Sequence, residues 1–517
     1  MIYNITRLQR SIVYISASNL YKRAYHSIPQ QKGVRELLVN VMDTTPSKRE
    51  LEHFLKRFGQ EEKPMMGSMQ PSITSPKDYV KALLQPCYHQ LAITKVEGPF
   101  QKYGWQNVGK TLHTLQKLGL TSIVVSDNTG WVTDTSTPNE LRKRMISESM
   151  ALAEAIQQAG GKATLIYGST LERSNFSSTS IDVNLDLILS AINNHHIPIV
   201  LPIVTEHEGK QIPIEATDAV LALTHRLANQ GVDPKLVPSK IVVVNKEGGV
   251  PNHERPSTAH SLINLQEEYS GIESAFLDQH PEWQTSHPNT LKNLTMIQNC
   301  LKQLPVTSSA VITPISSLPS ALISNLITDK PLYSSSLPIT DHTRINQAKT
   351  TVLRHGTKIN NYQKVADLDM KKLVGLLESS FRKRVDVDGF YSRLEKVLAG
   401  AIIAGDYEGA VIMTSERALT NSPNTYSYLD KYAIAPSSQG IGLTDILWKR
   451  MCDAYPELLW RSRKDNGVNK WYFERANGYL RLKDSNWVLF WHGQEGYKQI
   501  DEYSQIANSI PPSFFKS

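Results

Sequence analysis

The sequence predicts an α/β protein with two large domains. At 517 residues the chain is longer than one hydrophobic core usually organises. Between residues 80 and 330, short β-branched runs alternate with helical patterns, which predicts a mostly parallel sheet with helices on both faces. A second pattern of helices and strands begins near Thr350. The last third is therefore predicted to form a mixed α/β domain of its own.

Composition and charge exclude several classes of function. Apolar residues make up 40% of the chain and no apolar run is long enough to span a bilayer, so a membrane protein is excluded. The net charge is +7, but the basic residues are scattered among 49 acidic ones, which favours an anionic small substrate over nucleic acid. Cys87, Cys300 and Cys452 lie far apart without a CxxC pair, so no metal site is predicted.

The first 33 residues have the composition of a mitochondrial transit peptide. Six basic residues precede Glu36, the first acidic one. Helical spacing gives this segment an apolar face, formed by Ile5, Leu8, Ile12 and Ile15. A disordered basic tail is the alternative. Residues 34–79 are predicted to form a helical extension and a linker rich in Pro, Ser and Met.

Four β-branched runs mark strands of the first large domain, predicted at residues 80–335. They are Ser122–Ser126, Ala163–Tyr167, Ile197–Val204 and Lys240–Asn245. The segment between Leu304 and Asp341 is rich in Ser, Pro and Thr, which places a boundary near residue 340. The second domain is predicted at residues 340–517.

The segment Gly104–Thr111 fits the P-loop pattern of nucleotide-binding proteins letter for letter. A working P-loop follows directly on a buried strand, but the preceding residues are polar and interrupted by Pro99. Trp105 and Gln106 would also crowd a loop that must approach a phosphate closely. We therefore favour an amphipathic helix at Val108–Leu118 over nucleotide hydrolysis.

The last third shows a regular succession of elements. Helices are predicted at Met370–Ser380, Gly389–Leu398 and Leu443–Ala454, and strands around Ile402, at Ala410–Thr414 and at Tyr426–Ile434. The last of these strands stops at Pro436 and turns through Gly440 and Gly442 into a helix. Glycines let the backbone approach a ligand, and the N–H groups and dipole of a helix start favour a diphosphate. This predicts a pyrophosphate cradle, although a plain strand-turn-helix is the alternative.

The loop Ser437–Gly442 resembles the acetyl-CoA loop of the GNAT acyltransferase superfamily. The usual loop is Gln or Arg, two residues, Gly, one residue, then Gly or Ala, and Ser437 departs from it at the first position. The resemblance implies acetyl-CoA as co-substrate, bound by Ile434, Gln439, Gly440, Ile441, Gly442 and Leu443. Backbone N–H groups near Ile434 could polarise the thioester carbonyl.

Two arginines follow on the next predicted strand. Residues two apart on a strand project from one face, so Arg461 and Arg463 can converge. Guanidinium groups bind carboxylates bidentately, which predicts a dicarboxylic substrate. A pair of surface arginines that balance acidic residues is the alternative.

The stretch Leu459–Phe473 resembles the acetyltransferase domain of the N-acetylglutamate synthases of the vertebrate and fungal type. The resemblance implies that L-glutamate is held by Lys431, Arg461, Arg463 and Asn466. It also implies that Tyr472 lies near the cofactor sulfur and gives a hydrogen bond or proton to the departing thiolate. Tyr472 is predicted on a strand, facing away from Trp471 and Phe473.

Residues 80–330 resemble an amino-acid kinase fold that has lost its phosphate-handling signatures. Ala92–Gly98 carries a lone Lys95 where a lysine with paired glycines is expected, and Ile123–Asn128 replaces a glycine-rich turn. Lys240–Val250 and Ile263–Tyr269 are similar to the family's fungal members. The resemblance implies a regulatory domain that binds L-arginine as a feedback inhibitor. A degraded domain that binds nothing is the alternative.

Together these resemblances predict an N-acetyltransferase of the mitochondrial matrix that acetylates glutamate for arginine biosynthesis. A bifunctional synthase and kinase is disfavoured by the lost glycines. A non-catalytic or weakly catalytic arginine sensor that acts on acetylglutamate kinase is the other alternative. Fungal members of the family associate with that kinase, and a homo-oligomer with no nucleic-acid or membrane partner is expected.

Overall fold

The computed structural model describes most of the chain from residue 90 onward. The described ranges are 90–132, 137–173, 180–206, 209–229, 233–253, 258–328, 336, 349–418, 424–440, 442–483 and 485–515. The predicted transit peptide at 1–33, the extension at 34–79, Cys87 and Ile441 lie outside them. The chain divides into two compact units, one running to Pro238 with Ile315–Thr328, the other Ser239–Pro314 with Asp329–Ser517.

Strands and helices alternate through both units, which confirms the predicted α/β class. The strands are β1 (Gln90–Gly98), β2 (Leu120–Asn128), β3 (Ala163–Ile166), β4 (Leu171–Arg173), β5 (Ile181–Val183), β6 (Ile197–Val200), β7 (Ile203–Thr205), β8 (Gln211–Pro213), β9 (Pro238–Asn245), β10 (Leu262–Asn264), β11 (Ser309–Pro314), β12 (Thr351–Arg354), β13 (Ile359–Tyr362), β14 (Leu398–Ala404), β15 (Gly409–Arg417), β16 (Thr425–Ile434), β17 (Leu458–Arg463), β18 (Gly478–Arg481) and β19 (Trp487–His492). The helices are α1 (Lys102–Lys117), α2 (Thr129–Val132), α3 (Pro138–Gln158), α4 (Asp186–Asn193), α5 (Ala216–Ala228), α6 (Leu265–Ser274), α7 (Trp283–Ser286), α8 (Thr290–Gln303), α9 (Ser320–Thr328), α10 (Met370–Phe381), α11 (Val387–Val397), α12 (Leu443–Ala454), α13 (Asn469–Arg475) and α14 (Ile500–Ser509).

The first unit is built on parallel strands in the order β1-β2-β6-β3. Eight of the nine residues of β1 are buried, as expected for a strand covered on both faces. A smaller sheet in the order β5-β4-β7-β8 completes the unit. The predicted run Ile197–Val204 is divided into β6 and β7 at Pro202, which has no N–H for a sheet ladder.

The P-loop-like segment Gly104–Thr111 lies entirely within helix α1, which confirms the helical interpretation. Its Gly109 has a packing function. A Cβ atom at this position would lie 2.5 Å from the backbone of Ala155 in α3. The glycine therefore permits two helices to approach closely, and the match to a phosphate-binding pattern is a coincidence of spacing.

The second unit contains a seven-stranded sheet in the order β13-β14-β15-β16-β17-β19-β18. The neighbours β16 and β17 run parallel, and the other pairs are antiparallel. One face packs against α12 and α13 around Trp448 and Trp460, both fully buried. The opposite face packs against α10, α11 and α14. A separate group of strands in this unit has the order β10-β12-β11-β9.

We expect Gly109→Ala to lower the free energy of unfolding by about 1–3 kcal/mol, because the new methyl group would force α1 away from α3. Denaturant unfolding followed by far-UV circular dichroism measures this change. Gly375→Ala in α10 is the matched control, since a Cβ atom there meets nothing within 4 Å. The control should be neutral or stabilising by up to about 1 kcal/mol. Equal destabilisation of both variants would contradict the packing argument.

Candidate active site

The two parallel strands β16 and β17 diverge toward their carboxyl ends. In the described part of the chain their one registered pair is Tyr428 with Leu459. Beyond it, β16 follows β15 to Ile434, and β17 follows β19 to Arg463. Ligands of open α/β sheets bind beyond the carboxyl ends of parallel strands. The candidate site is therefore built around this divergence.

The predicted cradle lies directly after β16 and leads into α12. A short 3-10 turn at Pro436–Ser438 precedes Gly440 and Gly442, whose φ angles are +89° and +86°. Both angles lie in the left-handed region that favours glycine. Gly442 is the N-cap of α12, and its carbonyl accepts the N–H of Ile446. The first N–H groups of the helix have no carbonyl ahead of them within the helix and are suited to an anion.

The remaining cofactor-binding candidates differ in exposure. Gln439 is exposed, so its side chain can reach a ligand. The side chains of Ile434 and Leu443 are buried in the core between the sheet and α12. These two residues can contribute to a cofactor site through backbone atoms. Ile441 lies outside the described residues, so its predicted role stays a prediction.

The prediction that Tyr472 lies on a strand is wrong, because residues Asn469–Arg475 form helix α13. Its aromatic residues have high strand propensity, but the side chains of Trp471 and Tyr472 pack against the core around Trp448. Tertiary packing thus overrides local propensity. Phe473 lies 40% exposed, which leaves it outside that core.

Tyr472 is 9% exposed and is surrounded by aromatic rings. Its ring centroid lies 5.4 Å from that of Trp460 and 5.6 Å from that of Phe490. Burial raises the pKa of the Tyr472 phenol above its ordinary value of 10.0, because these surroundings disfavour a phenolate. At physiological pH the group is protonated and can donate a hydrogen bond or a proton.

Lys431 lies on the other face of the sheet, toward α11 and α14. Its Nζ donates to Asp430 Oδ2 at 2.5 Å and to Ser513 Oγ at 3.0 Å. The rings of Phe390 and Phe514 lie 5.3 Å and 5.7 Å from the same atom, within cation–π range. The ammonium is thus buried at a defined position.

Arg461 shares this face and is held by the end of α14. Its guanidinium donates to the backbone carbonyls of Ala507 and Ile510, the second at 2.6 Å. It also stacks on Trp487, with 4.2 Å from Cζ to the ring centroid. A cation at the carboxyl end of a helix is favoured by the helix dipole.

Arg463 and Asn466 bind residues that are close to them in the sequence. Arg463 Nε donates to the exposed Asp465 at 3.1 Å, a surface ion pair that contributes little to stability. Asn466 Nδ2 donates to Ser462 Oγ at 2.9 Å, and its Oδ1 accepts the N–H of Val468. Arg461 and Arg463 share a strand face as predicted, but their guanidinium groups are directed to separate partners.

Several polar residues of this region escaped the sequence analysis. Asp430 precedes Lys431 in the chain, and alternation would place its side chain on the opposite face. Arg393 donates to Asp430 at 2.8 Å and to Glu416. No spacing in the sequence links these residues, since they come from α11, β15 and β16.

A cavity of about 200 Å³ lies along the flank of α12. Its charged lining comes from Glu267, Glu268, Lys449, Arg450 and Asp453, none of which is a predicted site residue. The described residues contain no group of three or more His, Cys, Asp or Glu that could hold a metal ion. No helix among them is long and apolar enough to cross a bilayer.

Comparisons with known proteins identify the class. Residues 357–511 match the family described as NAT, the N-acetyltransferase of N-acetylglutamate synthase. The chain is 32% identical to the mitochondrial amino-acid acetyltransferase of Coprinopsis cinerea over 91% of this chain and 87% of the relative. It is also 32% identical to the mitochondrial amino-acid acetyltransferase of Laccaria bicolor, over 91% of this chain and 94% of the relative.

Among solved structures, the chain is similar to N-acetylglutamate synthase from Neisseria gonorrhoeae complexed with coenzyme A and N-acetyl-glutamate. The identity is 10% and the TM-score 0.48, with 86% of this chain and 97% of that chain covered.

The fold of the second unit and the family match define an N-acetyltransferase that uses acetyl-CoA as co-substrate. The chain belongs to the family of mitochondrial amino-acid acetyltransferases. It is an enzyme that transfers an acetyl group to an amino acid.

Gly442→Ala tests the cradle. We expect it to raise the KM for acetyl-CoA about tenfold or more, because alanine disfavours the +86° φ angle and its Cβ would lie 3.0 Å from Leu262. Steady-state kinetics at varied acetyl-CoA measure this value. Gly209→Ala is the control, since Gly209 has a φ of +74° with nothing within 4 Å of a Cβ atom. An unchanged KM in Gly442→Ala would contradict the assignment of the loop.

Proposed function

We propose that the amino acid acetylated by this enzyme is L-glutamate, which makes it an N-acetylglutamate synthase. The observation that carries the proposal is the position of Lys431 and Arg461 on one face of the sheet, on the strands that diverge. A dicarboxylic amino acid offers two carboxylates to two such cations. The description of the matching family, which names N-acetylglutamate synthase, supports the same acceptor.

The carbonyl groups that now accept from Arg461 do not prevent substrate binding. A carboxylate is a stronger hydrogen-bond acceptor than a neutral carbonyl and can share or replace these contacts. We propose that Arg461 and Lys431 orient the substrate, with Arg463 and Asn466 at the end of β17 as further ligands. Fixing both carboxylates would direct the amine toward the thioester.

In the proposed reaction the neutral amine of glutamate attacks the acetyl carbonyl carbon of acetyl-CoA. A C–N bond forms and the C–S bond breaks. The attacking nitrogen gives up one proton to solvent, and coenzyme A leaves as a thiolate that must gain a proton. Tyr472 is proposed to supply the hydrogen bond or proton for this thiolate. Its protonated phenol in an aromatic, water-poor environment supports this role.

We propose that residues 80–335 form a regulatory domain with an amino-acid kinase-like fold and that residues 340–517 form the catalytic domain. The contacts of Lys95 support the proposed loss of kinase activity. Its buried ammonium lies 2.6 Å from Glu97 and 2.9 Å from Asp127. Burial opposes the charged form, but these two carboxylates outweigh it and raise the pKa of Lys95. A phosphate would have to displace both of them.

Arginine is the proposed allosteric ligand of this domain, as a feedback inhibitor. Acetylglutamate kinase as a partner and assembly into a homo-oligomer belong to the same proposal. A thermal-shift titration with L-arginine tests ligand binding, because a ligand of the native state raises the apparent melting temperature. Lysine at equal concentration is the control. No shift with arginine would contradict arginine binding.

Incubation of the purified full chain with acetyl-CoA and L-glutamate tests the proposed reaction. We expect release of coenzyme A, detected as free thiol, together with N-acetylglutamate identified by mass spectrometry. L-aspartate, one methylene shorter, should be a poorer acceptor because its carboxylates are closer together. Thiol release without acetylated glutamate, or faster acetylation of a neutral amino acid, would refute glutamate as the acceptor.

Tyr472→Phe is expected to lower kcat by about 100-fold while changing the KM values little, because the lost donor acts as the thiolate forms. In the unmodified enzyme, the raised pKa of Tyr472 predicts no loss of kcat from its ionisation below pH 10.0. Tyr479→Phe is the matched control, since Tyr479 is 49% exposed on β18. Equal kcat values for Tyr472→Phe and the control would exclude the proposed role.

A further inference from the structure

Asp430 is the extra residue of a β-bulge in β16. Ile412 pairs with Lys431, and Met413 pairs with Leu429, so Asp430 has no partner in β15. A bulge interrupts the alternation of side chains between the two faces of a strand. The side chains of Asp430 and Lys431 consequently meet on one face, with 2.5 Å between Lys431 Nζ and Asp430 Oδ2.

The carboxylate of Asp430 is fully buried and shared between two cations. Its Oδ2 accepts from Lys431, and its Oδ1 accepts from Arg393 at 2.8 Å. Burial opposes ionisation of Asp430, but these two cations outweigh it and hold its pKa below the ordinary value. Arg393 is fixed in turn by Glu416, which also accepts from Thr414 at 2.7 Å.

These contacts give Lys431 a fixed position. A lysine ammonium has three donors on a flexible stem, so it adopts one place only when its neighbours define it. Here Asp430 provides two acceptors, Oδ2 and the backbone carbonyl at 3.2 Å, and Ser513 provides the third. The position of the ammonium is therefore defined by the Asp430 carboxylate, which Arg393 on α11 holds in turn.

Four charged side chains on three strands and one helix form a cluster with Lys431. They are Asp430 on β16, Glu416 on β15, Arg393 on α11 and Arg461 on β17, with the buried phenol of Tyr428 beside them. Counting Lys431, three cations face two carboxylates, which leaves one positive charge. An amino acid with two carboxylates and one ammonium carries one net negative charge. The cluster thus matches such a substrate in charge.

We propose that Asp430 is a positioning residue for the amino-acid substrate, which holds Lys431 Nζ in place while Arg393 holds Asp430. This inference rests on the proposed role of Lys431 in binding glutamate. Asp430 itself is screened from the substrate by the two cations that occupy its oxygens. It acts through Lys431.

Asp430→Asn retains the shape of the side chain and removes its charge. We expect the KM for glutamate to rise about tenfold or more, with the KM for acetyl-CoA unchanged. Without its carboxylate, the buried ammonium of Lys431 faces Arg393 and Arg461 and loses its proton more easily. The KM for glutamate should therefore rise more steeply between pH 7 and pH 9 than it does in the unmodified enzyme, on the order of several-fold.

A double-mutant cycle with Lys431→Gln separates a positioning role from a general structural one. Because Asp430 is proposed to act through Lys431, the double variant should have the same glutamate KM as Lys431→Gln alone. Asp406→Asn is the control, since Asp406 pairs with Lys372 at an exposed position of the same unit. It should leave every kinetic constant unchanged.

Asp430→Glu keeps the charge of the side chain and changes only the position of the carboxylate. It also retains a partner for Arg393, so it can be studied if Asp430→Asn fails to fold. We expect a raised glutamate KM with the pH dependence of the unmodified enzyme. An unchanged KM in this variant, or an equal effect of Asp430→Asn with and without Lys431, would overturn the inference. If Lys431→Gln leaves the glutamate KM unchanged, or the unmodified enzyme does not acetylate glutamate, the proposed function fails and the inference fails with it.

Discussion

The catalytic part of this enzyme depends on one topological constraint, the parallel pairing of β16 with β17 in an otherwise antiparallel sheet. Parallel neighbours cannot be joined by a tight hairpin, so the chain must cross over through a helix. That helix is α12, and it begins directly beyond the carboxyl end of β16. The amino end of a helix is thereby placed where the strands diverge. The predicted cradle for a diphosphate is thus a consequence of strand order, and Gly442 makes the turn possible.

Two buried lysines show that neighbouring side chains can either neutralise a lysine or leave a positive charge near it. Lys95 faces Glu97 and Asp127, which together exceed its charge. Among the described residues Lys431 has one carboxylate partner, Asp430, and it shares this partner with Arg393. The first arrangement leaves nothing to attract an anion, whereas the second retains a positive charge beside Arg461. The balance of charges around a lysine, rather than its presence, therefore decides whether a positive charge remains for an anionic ligand.

The sequence was most informative where a pattern depends on the local backbone. Helix α12 occupies the predicted range Leu443–Ala454, because apolar periodicity and the preceding glycines act within a few residues. The prediction from the sequence was wrong at Tyr472, because distant rings such as Trp460 decide that this aromatic segment is helical. The bulge at Asp430 left no trace in the sequence, since it is defined by pairing with β15. The partners of Arg461 were equally hidden, because they lie on the backbone of α14.

The contacts of α14 and the segment after it have a consequence for synthesis of the chain. Arg461 and Lys431 are translated well before Ala507 and Ser513, whose oxygen atoms hold them in the folded protein. The amino end of a nascent chain leaves the ribosome first, so both cations emerge before their partners have been synthesised. A premature stop codon between Tyr472 and Ala507 would therefore leave every candidate site residue in the sequence and yet leave the cationic face unfinished.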